Sequence, residues 1–63
     1  MELTKEQKKQ LINERLSMYS AQIFKLEMDK VALEVNLDVA GANDIGKRID
    51  ALKKASAAVQ GMI

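Results

Sequence analysis

Three carboxylates, Glu27, Glu34 and Asp38, stand seven and four residues apart, a spacing that puts them along one side of a helix. Carboxylates gathered on one face can exchange a proton as acid and base, or hold a metal ion. Helical-bundle metal sites complete such a set with histidines from facing helices. This chain has no histidine and no cysteine. The acids therefore read as positions flanking an apolar seam, paired with Lys30 and Lys53. Exposed pairs of that kind contribute only about 0.2–1 kcal/mol each. No catalytic, cofactor-binding or metal-binding residue is expected.

Lys5, Lys8, Lys9 and Arg15 form a second cluster, on the N-terminal stretch. Cations in a row can contact nucleic acid or an acidic partner, and lysine or arginine at an interface could hold a small anionic ligand such as a nucleotide between protomers. Here Glu2, Glu6 and Glu14 are interleaved with them, the pattern of a solvated, ion-paired helix surface. The whole chain sets ten basic against nine acidic residues, for a net charge of +1, which is no electrostatic footprint for nucleic acid or an anionic membrane. There is no glycine-rich phosphate loop and no nucleophile–histidine pair. The reading is a non-enzymatic protein without a cofactor. An anion-binding sponge and weak nucleic-acid binding are the alternatives.

The elements that carry these residues are legible from periodicity. Ile12, Leu16, Tyr19, Ile23, Leu26, Lys30, Leu33 and Leu37 alternate in steps of four and three, and only Lys30 among them is charged. Such a heptad seam buries one stripe of a helix against another helix. Thr4 with Gln7 three residues later is a capping box, and Glu6 sits where the helix dipole favours an acid. Proline is absent and the glycines stand only at 41, 46 and 61. The pattern predicts a long helix over about 5–40, a turn at 41–43 with Gly41 in the left-handed conformation, and a second helix over about 44–60.

The second seam is Ile45, Ile49, Leu52, Ser56, Val59 and Ile63. Two such helices joined by a short turn form an all-α, antiparallel coiled-coil hairpin. Folding about residue 42 would set Lys30 beside Ser56, the polar pair of the facing segments. The general look is similar to that of short helical-hairpin proteins of bacteria and their phages. No secretory leader or membrane span is expected, and a cytoplasmic setting is the unforced one.

A chain of 63 residues without cysteine or histidine has no disulfides and none of the usual zinc ligands, so oligomerisation or unusually good helix packing is the remaining route to stability. The predicted first helix outruns the second, leaving an apolar arm at Leu11, Ile12, Leu16, Met18 and Tyr19. A second stripe, Phe24, Met28, Val31, Val35 and Val39, lies on the side away from the seam. A helix apolar on two faces belongs inside a bundle. These ten residues are the expected interface. The first partner is a second copy in a homodimer, with higher oligomers open, and another protein is a further partner. The expected role is that of a structural unit or of a small regulator.

Overall fold

A computed structural model describes residues 2–63. It consists of two helices, α1 (Lys5–Val35) and α2 (Val39–Gln60), packed against each other along their lengths. The capping box holds α1 at its start. The Thr4 N–H donates to Gln7 Oε1 at 2.9 Å, and the Gln7 N–H donates to Thr4 Oγ1 at 3.1 Å. The long axis of the molecule is 51 Å against 16 and 15 Å across. Its Cα radius of gyration is 15.3 Å, whereas a compact chain of this length would give about 11 Å.

The seam is where the sequence places it except at Leu37 and Ile63, the last residue of each predicted stripe, which are exposed. In α1 the partly buried residues are Ile12, Leu16, Tyr19, Ile23, Leu26, Lys30 and Leu33. Facing them on α2 are Ile45, Leu52, Ser56 and Val59, partly buried, and Ala42 and Ile49, buried at 5% and 7% exposure. No other described residue is buried to that degree.

The turn is not where the sequence places it. It lies at residues 36–38, so α1 ends at Val35 rather than near 40, and α2 begins at Val39 rather than near 44. Gly41 is therefore helical, and Leu37 takes the left-handed conformation with φ 61°. Two backbone bonds close the α1 end. The Asp38 N–H donates to the Leu33 carbonyl at 2.9 Å, and the Leu37 N–H donates to the Glu34 carbonyl at 3.0 Å. This is a Schellman closure in which leucine fills the place usual for glycine. Asp38 then caps α2: its Oδ1 accepts from the Gly41 N–H at 2.9 Å. A Cβ on Gly41 would lie 2.6 Å from Asp38 Oδ2, so this residue serves the cap by lacking a side chain.

Magnitudes explain the choice of turn. Left-handed backbone costs an L-residue roughly 1–2 kcal/mol. Turning early lengthens α2 to 22 residues and brings Met62 and Ile63 into a groove with Lys5, Lys8, Lys9 and Ile12. Ile12, Leu16 and Tyr19 are then partly covered by the same chain, instead of projecting as a bare arm. Half-burial of three such side chains contributes roughly 3 kcal/mol, which exceeds the strain. The early turn also makes Ala42 a seam residue, three positions before Ile45. It sets Lys30 over Gly46, whose Cβ position is 3.7 Å from Lys30 Nζ, and not beside Ser56.

Candidate interaction surface

The acids expected beside the seam have separate surroundings. Asp38 is the α2 cap. Glu27 shares a shallow groove with Lys30, Val31, Gly46, Asp50 and Lys53. Among the described residues there is no group of three or more side chains suited to a metal ion, and no helix is long and apolar enough to cross a membrane. The lysines of the N-terminal stretch border the open end of the hairpin, next to the apolar Met62 and Ile63.

Apolar surface is the dominant feature that remains. Of the ten residues singled out as an interface, Ile12, Leu16 and Tyr19 are half-buried against α2. Leu11, Met18, Phe24, Met28, Val31, Val35 and Val39 are exposed. Val39 opens α2 and sits at the hairpin tip, so it is not part of the α1 stripe to which the periodicity assigned it. The stripe proper is Phe24, Met28, Val31 and Val35, spaced 4-3-4 on the outer side of α1. Phe24, the only phenylalanine of the chain, is 60% exposed.

Four further apolar residues are exposed: Leu3 and Met62, and also Leu37 and Ile63, which the heptad spacing places in the two seams. Leu37 is the extreme case at 84% exposure. It continues the seam spacing, and that phase drew it into the predicted core. The signal against this was Asp38 with Gly41 three residues on, a helix start that ends α1 earlier.

The same 4-3-4 spacing occurs eighteen residues earlier in α1, as Glu6, Gln10, Asn13 and Ser17. Eighteen residues make about five helical turns, so both sets point the same way. The earlier four line a single open surface together with Lys9 and Glu14. The outer side of α1 is thus polar in its first half and apolar in its second. Compared with family models, curated proteins and solved structures, the chain matches none.

Proposed function

We propose that this protein is a non-enzymatic interaction module that works as a homo-oligomer, most simply a dimer that brings four helices together. It acts through protein–protein contacts, as an assembly unit or as a small regulator of a larger protein. The observation that supports this is surface area. The chain exposes 5205 Å² at a mass of 7.0 kDa. A folded monomer of that mass exposes roughly 4,000 Å², and its unfolded chain about 10,000 Å². The lone hairpin therefore hides only about half of its unfolded surface, where about 60% is usual for this size. The excess of roughly 1,200 Å² is of the order that one partner of a stable complex buries, between the standard ~800 Å² a side and the larger obligate interfaces.

The experiment is size-exclusion chromatography with light scattering, together with melting over a range of concentrations. Twice the chain mass at micromolar concentration is expected, with a midpoint that rises with concentration. A seven-kilodalton species with a cooperative, concentration-independent melt would overturn the reading.

A further inference from the structure

We infer that the second copy docks antiparallel on the outer face of α1, about a two-fold axis passing between Met28 and Val31. This rests on the self-association proposed above and adds its face, direction and register. Three observations carry it.

The first is spacing. Phe24, Met28, Val31 and Val35 read 4-3-4 from either end. An isologous contact requires that residue i meet j and that j meet i. Turning the stripe about its centre sets Phe24 of one copy on Val35 of the other, and Met28 on Val31. Each level then combines one long side chain with one short β-branched one, as interdigitating layers require. A parallel pairing would stack phenylalanine on phenylalanine at one end and valine on valine at the other.

The second is the polar half of the same face. A parallel, in-register pair would run the helices side by side and press Glu6, Gln10, Asn13 and Ser17 against themselves, desolvating groups without partners. In the antiparallel register Gln22 faces the level of Leu37, where the partner's helix ends. Everything before Gln22 extends past that turn and stays in water. The boundary between polar and apolar surface on α1 falls where the overlap would stop.

The third is area. All four stripe residues are exposed in the hairpin. Half to three-quarters of the surface of each is in water, so a second copy seated here covers contiguous apolar area that the hairpin leaves open.

The chain contains no cysteine, so introduced thiols report cleanly. Phe24→Cys and Val35→Cys chains are prepared singly, mixed, and oxidised with a mild catalyst. The mixture should form a disulfide-linked pair, while Val35→Cys alone should not. In this register two residues at position 35 stand about eleven positions apart along the axis, or roughly 16 Å, beyond the ~7 Å that a disulfide spans. Rapid linking of Val35→Cys to itself would overturn the direction in favour of a parallel pair. A dimer by light scattering that links in neither case would overturn the choice of face. A wild-type chain that stays monomeric would remove the self-association reading itself, and a different protein would then be the occupant.

Should the cysteine variants fail to assemble, Met28→Lys and Val31→Glu provide the second test. Each should be monomeric alone, and an equimolar mixture should recover the dimer mass, because this register brings the two positions together. A mixture that stays monomeric would overturn the register.

Discussion

Two regions of α1 share a helix, a direction and a spacing, yet differ in chemistry. Glu6, Gln10, Asn13 and Ser17 occupy the outer side of the first half, and Phe24, Met28, Val31 and Val35 the outer side of the second. All eight are exposed in the hairpin. Neither set serves the seam with α2, so packing within the chain does not account for the difference. Helix propensity does not either, since valine and phenylalanine are no better helix formers than glutamate or glutamine. The first set is what a solvated helix carries. The second leaves roughly 1.5–3 kcal/mol of transfer free energy per side chain unused at full exposure. The proposed contact between copies accounts for the contrast.

The sharpest way to break the comparison is to equalise the halves. Val31→Glu with Val35→Glu places two charges on the apolar half. Assembly should weaken by more than about a hundredfold, since burying each charge without a partner costs several kcal/mol. Asn13→Glu with Ser17→Glu puts the same charges on the polar half, and should leave assembly within about twofold of the parent, the scale of an ordinary surface substitution. Light scattering across a dilution series reads both. Equal effects from the two pairs would show that the halves do not differ in what covers them.

A seam substitution should behave differently from an outer-face one. Ile49 is buried on α2 where it meets α1. Ile49→Ala should cost about 2–5 kcal/mol, which for so small a core means loss of most of the helical signal at micromolar concentration. Ile12→Ala, half-buried near the open end, should cost about 1 kcal/mol. Helical circular dichroism against temperature separates them. An Ile49→Ala chain that melts like the parent would show that the seam is not what holds the hairpin.

The seam and the start of α1 were legible in the sequence because both signals are local and periodic. Each α1 residue that the structure half-buries, from Ile12 to Leu33, lies on the four-three spacing, and Thr4 with Gln7 closes as the capping box requires. The turn was not legible. Gly41 is the better left-handed residue, and local preference alone favours it. The outcome instead depends on matching the lengths of two helices, a property of the whole chain. A turn at Gly41 would also set Lys30 beside Ser56 and leave Ile12, Leu16 and Tyr19 as a bare arm, whereas the turn at 36–38 places Lys30 over Gly46 and half-buries those three. The outer stripe was readable on a helical wheel, except for Val39, which the early turn transfers to α2.

Asp38 joins the two helices, and its carboxylate is the one side chain seen to cap α2. Asp38→Ala should cost about 1 kcal/mol, read from the melting midpoint, with the oligomer mass unchanged. A shift in oligomer mass at constant midpoint would place the aspartate in the contact between copies rather than in the turn.

Leu37 yields the smallest effect and the finest discrimination. Its backbone is left-handed and its side chain is almost wholly in water, so the hairpin alone gives this leucine neither comfortable geometry nor burial. Replacing it with glycine removes about 1–2 kcal/mol of strain. Against this stands the larger entropy of glycine in the unfolded chain, about 0.5–1 kcal/mol. Leu37→Gly should therefore raise stability by roughly 0.5–1 kcal/mol, a few degrees in melting midpoint for a domain of this size. The sign carries the information. In the antiparallel register Leu37 of one copy lies at the level of Gln22 of the other, just past Phe24, at the edge of the covered surface. A rise in midpoint with unchanged assembly means that the apolar contact ends before the turn. A fall, accompanied by weaker assembly, means that the partner covers the tip and that the apolar region runs from Phe24 through Leu37.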